Sequence, residues 1–419
     1  MGRLVATLVL VLCYCSATCT LAYGHGGGGL RRGLVEQAMR GRLLAYATPA
    51  AGGVAVPISW SSRALYSVAN FTIGTPPQPV SGIIDLSGEL VWTQCATCSH
   101  CFEQDLPLFD TSASSTFQAA TCGAALCKSI PTRNCSSGSG SGAGAGVCRY
   151  AAPSRFGDTF GFAGVDTVAM GTAKGKLAFG CVEEISHHVE TIGGASGFVG
   201  LGRTPWSLVG QSNATAFSYC LAPHNDSGKN SVLFIGASAK LAGGGKNTST
   251  PLVRTSNSSS DDGSDPFYTV QLEGIKAGDV EIATAASGLT VQVDTVLPYS
   301  ILVDSAYKAL KKAVTAALGA PTAEAPTWYD LCFQKAKVSD APDLVFTFQG
   351  GAALTMPPSK YLRSDGNGTV CLLIWNAAQL NLTDGVSILG SFQQENIHFL
   401  FDLKKGTVSF EPADCSSLT

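Results

Sequence analysis

The chain has 419 residues, 45% of them hydrophobic and 14% charged, with 27 Lys and Arg against 30 Asp and Glu. Residues 61–419 alone carry 22 basic and 29 acidic side chains, a balance that excludes the basic footprint of a nucleic-acid-binding protein. Beyond the first residues no apolar run approaches the roughly 18–20 positions needed to span a bilayer, so no membrane-spanning segment is expected.

Arg3 precedes an apolar stretch, residues 4–12, and Thr20-Leu21-Ala22 offers a small-residue cleavage site, so residues 1–22 read as a signal peptide. Residues 23–60, with a glycine run at 24–29 and an arginine-bearing stretch at 31–42, read as a leader, either a removable pro-segment or a disordered tail. The expected location is secreted, in the extracellular space or cell wall, with the vacuole as the other acidic destination. Three of the 15 cysteines lie in the signal, and the remaining 12 are an even number that allows six disulfides. Eight Asn-x-Ser/Thr sequons, at Asn70, Asn134, Asn213, Asn225, Asn247, Asn257, Asn367 and Asn381, agree with passage through the secretory pathway.

Two aspartates then stand in copies of one local frame. Ile83-Ile84-Asp85-Leu86-Ser87-Gly88 and Val291-Gln292-Val293-Asp294-Thr295-Val296 each carry an apolar run that reads as a buried strand, ended by an aspartate and a turn-like break. Two carboxylates brought close cannot both ionise, so one keeps its proton while its partner serves as base toward a water. An aspartate at a strand end is otherwise a turn former; the repetition of the frame is what points to chemistry.

Between the copies, Cys95-x-x-Cys98-x-x-Cys101 beside His100 has metal-like spacing, but in an exported chain disulfides take precedence and no metal or cofactor is expected. Residues 138–146 (GSGSGAGAG) read as a flexible tip, His187-His188 as solvated loop residues, and residues 193–202 as a glycine-rich stretch lacking the Gly-Lys-Ser/Thr of a phosphate loop. Most other segments are short apolar runs between Gly, Ser, Asn and Pro, the pattern of an all-β protein. The polar segment 254–265 (RTSNSSSDDGSD) buries nothing and reads as a linker, giving an N-terminal lobe at 61–253 and a C-terminal lobe at 266–419. A strand is expected over 267–275, where Tyr268, Val270 and Leu272 alternate with polar residues. A helix is expected after Asp294, capped by Asp304 or Ser305, with Tyr307, Leu310, Val314 and Leu318 near one face.

Residues 71–78 (FTIGTPPQ), 197–203 (GFVGLGR), 217–221 (FSYCL), 386–396 (VSILGSFQQEN) and 401–415 (FDLKKGTVSFEPADC) resemble, in order, the landmarks of pepsin-like aspartic peptidases. The cysteine-rich stretch after Trp92 resembles the nepenthesin-like plant subgroup. The resemblance covers residues 66–416 and implies a bilobal all-β fold with a central cleft and a few short helices. It further implies a monomer acting on protein or peptide substrate, with Asp85 and Asp294 as the catalytic pair. It also implies a Cys332–Cys371 disulfide, because the landmarks place both in one lobe.

The motifs depart from the family pattern, in which each aspartate is followed by Thr or Ser, then Gly, then Ser or Thr. Leu86 replaces the first hydroxyl and Ser87 the glycine, ahead of Gly88; in the second copy Thr295 is kept while Val296 replaces the glycine, where a β-branched side chain restricts the backbone and intrudes on space. The flap reads Phe156-Gly157-Asp158, about three residues short and without the tyrosine hydroxyl, although Trp92, its usual partner, is present. The same Asp-Leu-Ser-Gly motif and a Leu-Pro-Tyr run at 297–299 resemble plant extracellular dermal glycoproteins and xylanase inhibitors, which implies a second reading: a non-catalytic binder of cell-wall glycosidases. Peptide hydrolysis at reduced rate is the leading expectation.

Overall fold

The computed structural model describes residues 53–418 except 62, 131–132, 136–145, 155, 187–189, 227–228, 244–247, 255–266, 323–328, 335–336, 365–367 and 383–384. Residues 1–22, most of the leader, most of the linker, His187-His188, most of the glycine-rich tip and three sequons (Asn247, Asn257, Asn367) lie outside the described residues. These residues form two compact units, one of 53–217 with 233–239, the other of 218–232 with 240–418.

The first unit begins earlier than the sequence suggests. Residues Val54–Trp60 form a strand, β1, because Val54, Val56 and Ile58 alternate with Ala55, Pro57 and Ser59 and their side chains are buried. β1 pairs antiparallel with β2 (Ser67–Ile73), and β2 with β3 (Gln78–Asp85). β4 (Val91–Gln94) follows, then a hairpin of β5 (Arg149–Ala152) and β6 (Thr159–Met170), and β7 (Ala173–Ile185) returns along β6 with a bulge between Val182 and Glu184. β8 (Gly197–Gly200) inserts between β3, to which it is parallel, and β4, to which it is antiparallel.

Four disulfides staple this unit: Cys95–Cys181, Cys98–Cys101, Cys122–Cys135 and Cys127–Cys148. The metal-like cysteine spacing is therefore spent on covalent bonds. Cys95–Cys181 spans 86 residues, and closing a loop of that length removes roughly 4.6 kcal/mol of unfolded-chain entropy.

In the second unit β9 (Ser249–Val253) pairs with both β10 (Thr269–Ala277) and the C-terminal strand, so the residues just before the polar segment hydrogen-bond with the C-terminal strands. Tyr268, Val270 and Leu272 are buried, and β10 pairs with β11 (Val280–Val293). After β12 (Ser300–Leu302) comes α1 (Asp304–Leu318), which buries Tyr307, Leu310 and Val314 as expected. The expected cap is corrected. Val303 holds the N-cap position without a side-chain bond, while Asp304 pairs with Lys308 at 2.6 Å and accepts from Asn376 at 3.0 Å. Asp304 thus sits inside the first turn, where its charge suits the helix dipole.

β13 (Leu344–Phe348) and β14 (Ala352–Met356) extend the sheet beyond β10. β15 (Ile374–Asn376) lies parallel to β12, and β16 (Val386–Leu389) is parallel to β11 and antiparallel to β12. The short helix α2 (Ser391–Gln394) precedes the closing hairpin of β17 (Ile397–Asp402) and β18 (Thr407–Pro412). Cys332–Cys371 bridges directly opposed strand positions, as the resemblance implies, and Cys220–Cys415 ties the chain's end down. Among the described residues no helix is long and apolar enough to cross a membrane.

Candidate functional site

Asp85 ends β3 and Asp294 follows β11, one in each unit, and the local architecture around them is the same. β3 lies parallel to β8 with Asp85 opposite Gly200; β11 lies parallel to β16 with Val293 opposite Leu389. Each parallel neighbour turns back antiparallel on the strand that follows the aspartate, Phe198 opposite Trp92 in one copy and Ile388 opposite Ile301 in the other. The loop behind each aspartate is pressed against a glycine. A Cβ on Gly200 would stand 2.5 Å from the carbonyls of Gly88 and Leu90, and one on Gly390 would stand 2.5 Å from the Tyr299 backbone. Only glycine lets these backbones approach so closely.

The two carboxyl groups are held differently. Asp85, 5% exposed, accepts through Oδ1 from the Ser87 amide at 2.8 Å and the Ser87 hydroxyl at 2.7 Å. Gly88 stands against the other oxygen, since a Cβ there would lie 3.1 Å from Oδ2. Asp294, fully buried, accepts through Oδ1 from the amides of Val296 and Leu297, both at 2.8 Å. Donors of this kind fix the orientation of the oxygen they meet.

The departures from the family motif are built into these contacts. Ser87, standing where glycine is expected, adds a hydroxyl donor to Asp85. Leu86, Thr295, Val296 and Leu297 are buried, and Leu297 packs with Ile301, Trp375, Ala377 and Leu380. The backbone does not need glycine at these positions: Asn213, Asn381 and Asn396 are the non-glycine residues with positive φ among those described, so Ser87 and Val296 are accommodated without left-handed strain. The Val296 side chain is buried and fills space beside the aspartate.

Sequence inspection gave no role to Gln394, yet it anchors the second loop. Its Nε2 donates to the Asp294 carbonyl at 2.7 Å and the Leu389 carbonyl at 2.8 Å, and its Oε1 accepts from the Tyr219 hydroxyl. The amides of Ser391 and Phe392 add bonds to the carbonyls of Leu297 and Pro298 at 2.8 and 3.1 Å. The signal that could have found it is the glutamine's place within the 386–396 landmark.

The flap residues Phe156, Gly157 and Asp158 lie in the turn between β5 and β6. The Ser154 hydroxyl donates to the Gly157 carbonyl at 2.6 Å, and Gly157 takes φ +117°, a conformation that favours glycine. Asp158 points its backbone, not its acid, into the structure: its amide donates to Ser186 Oγ at 2.8 Å and its carbonyl accepts from the Ser186 amide at 2.9 Å. Phe156 is 6% exposed and packs against Phe198 at 5.8 Å and the edge of Tyr66 at 6.0 Å. Trp92 stacks on Phe198 at 5.1 Å, so Phe198 touches both flap ring and indole. Tyr66 did not stand out in the sequence, and Phe198 did so only as part of the 197–203 block, because their ring neighbours come from distant segments.

Two family models match the chain, described as xylanase inhibitor N-terminal over residues 67–237 and xylanase inhibitor C-terminal over residues 267–412. The aspartic proteinase nepenthesin-1 of Nepenthes gracilis is 30% identical over 365 residues, covering 83% of this chain and 78% of that protein. The protein Aspartic Protease in Guard Cell 2 of Arabidopsis thaliana is 31% identical over 82% of this chain and 71% of its own length. Among solved structures, edgp superposes with a TM-score of 0.69 at 21% identity over 88% of this chain and 97% of its own. The basic 7S globulin from soybean gives 0.68 at 20% over 88% and 99%.

Proposed function

The chain belongs to the plant family of nepenthesin-like aspartic proteinases and xylanase-inhibitor-like proteins, with their mostly β, pepsin-like fold, and on that premise we propose that it is a secreted aspartic-type endopeptidase of reduced activity with Asp85 and Asp294 as its carboxylate pair. The observation that supports this reading is the twofold construction: each aspartate ends the same strand arrangement, with donors converging on its Oδ1. In the reaction the ionised carboxylate takes a proton from water as the water oxygen adds to the peptide carbonyl carbon, and the protonated carboxyl gives its proton to the carbonyl oxygen. The tetrahedral adduct then collapses: one of its hydroxyls returns a proton to the carboxylate that gave one, the C–N bond breaks, and the nitrogen takes the proton that the other carboxyl gained from water. Reduced rate follows from Leu86 and Val296, which put hydrocarbon where the family pattern has a hydroxyl and a glycine.

A second reading has its own support. Phe156 is buried, and Leu86 and Val296 put hydrocarbon at two motif positions, as suits a binder of cell-wall glycosidases or peptides that cuts nothing. One pair of assays separates the two. Acid-treated protein is incubated with denatured protein substrate from about pH 2.5 to 5, with and without a statine-type inhibitor, and is tested in parallel for capture and inhibition of secreted fungal xylanases. Inhibitable cleavage lost in Asp85→Asn supports the peptidase; tight xylanase capture with no cleavage overturns it.

A further inference from the structure

We propose that Cys122, Cys127, Cys135 and Cys148 form a thiol-exchange site: a low-molecular-weight thiol opens the outer disulfide at Cys122, the released Cys135 takes Cys127 from Cys148, and Cys148 is left as the free thiol. The inference stands apart from whether the carboxylate pair cuts peptides.

The two disulfides are packed sulfur against sulfur. Cys122–Cys135 and Cys127–Cys148 are separate bonds, yet Cys135 Sγ lies 3.4 Å from Cys127 Sγ, and the sulfurs of Cys122, Cys127 and Cys135 all lie within 4.8 Å of one another. Local structure brings them together. Cys127 sits in the short helix Ala125–Ser129, while Arg133 pairs with Tyr150 and Asn134 with Arg149, so Cys135 and Cys148 stand next to that antiparallel pairing. Exposure sets the order of attack. Cys127 and Cys148 are fully buried. Cys122 is half-buried between the exposed Thr121 and Gly123, and its sulfur lies 3.6 Å from the carbonyl oxygen of Val147, a residue 48% exposed.

An incoming thiolate therefore bonds to Cys122 Sγ and expels Cys135 as thiolate. That sulfur is already in contact with Cys127 Sγ; it bonds there and the Cys127–Cys148 bond breaks, with the electron pair and a proton from solvent ending on Cys148. The products are a mixed disulfide on Cys122, a Cys127–Cys135 bond and one thiol, so the incoming thiol is the only co-reactant. A sulfur held in contact outcompetes a dissolved one, because its effective concentration exceeds that of any free reagent. The surrounding charge suits a departing thiolate. Residues 111–157 contain no Asp or Glu, Lys128 adjoins Cys127, and Arg133 donates to the carbonyls of Lys128 and Ile130 at 3.1 and 3.2 Å. Cys148 immediately precedes β5, which leads to the flap turn, so the exchange cuts the covalent tie between the helix and the base of that hairpin while one crosslink remains.

The test treats the full protein with reduced glutathione at about pH 8, where thiols are partly ionised, and quenches with N-ethylmaleimide at intervals. Non-reducing peptide mass spectrometry then maps labels and crosslinks. Glutathione on Cys122, a Cys127–Cys135 crosslink and maleimide on Cys148 are expected, with Cys148 labelled roughly 10-fold or more over Cys135. In the Cys127→Ser/Cys148→Ser double variant the label moves to Cys135; should that variant fail to fold, the wild-type map alone decides. Label on Cys122 or Cys135 of the wild type with Cys127–Cys148 intact overturns the exchange. So does a wild type whose two bonds both survive glutathione that opens an exposed control disulfide.

Discussion

Asp294 has a structural duty that its catalytic candidacy conceals, and the two separate under substitution. Its Oδ1 is the acceptor for the buried amides of Val296 and Leu297, each at 2.8 Å. Asp294→Ala removes that acceptor and leaves two donors in a site from which water is excluded. Each costs about 1–3 kcal/mol, so the variant loses roughly 2–6 kcal/mol. Asp294→Asn keeps a carbonyl oxygen at the same position and loses only the charge assistance, about 1 kcal/mol. At about 2–4 °C per kcal/mol for a domain of 150–250 residues, thermal unfolding followed by circular dichroism distinguishes the two readily. Both variants abolish acid peptidase activity if the pair is catalytic, since neither supplies a carboxylate. An alanine variant as stable as wild type, or an asparagine variant as damaged as alanine, refutes the reasoning. The stability gap means that the presence of an aspartate at 294 does not by itself attest chemistry.

Two further predictions follow from buried groups. Lys360 has its Nζ out of contact with water and without a hydrogen-bond partner among the described residues, and burial pulls its ammonium down to about 8 from the ordinary 10.5 against the opposing pull of Glu395. The folded state therefore resists protonation: the penalty is absent above about pH 10.5, grows as pH falls toward 8, and amounts to on the order of 3 kcal/mol below that. Lys360→Met accordingly raises unfolding stability at pH 6 in urea titrations, with the gain fading by pH 10; a variant less stable than wild type at pH 6 refutes this. Restoring the family motif through Leu86→Thr, Ser87→Gly, Gly88→Ser, Val296→Gly and Leu297→Thr removes the extra donor on Asp85 and the hydrocarbon beside Asp294, and raises peptidase kcat/KM by up to roughly 100-fold. A folded revertant no more active than wild type places the block elsewhere, and the five changes need not add.

Features that depend on local pattern were legible in the chain alone. The duplicated frames around Asp85 and Asp294, the alternation at Tyr268, Val270 and Leu272, and the apolar face of Tyr307, Leu310 and Val314 all follow from side-chain periodicity, which the chain carries whether or not it is folded. The Cys332–Cys371 pairing was legible only through the resemblance, and the opposed strand positions supply its geometry. Tertiary structure decided the rest, through the backbone geometry of the aspartate loops and the helix start and through contacts between remote segments. Val303 rather than Asp304 caps α1, since Asp304 finds Lys308 and Asn376 instead. Ser87 and Val296 read as intruders on glycine positions, yet the fold gives them ordinary backbone and turns the Ser87 hydroxyl and the Val296 amide into donors for the aspartates. Phe156 reads as a tyrosine that lost its hydroxyl. Only the meeting of segments around residues 66, 92, 156 and 198 makes it a buried ring beside the Asp85 strand, because ring packing depends on contacts that no local periodicity encodes.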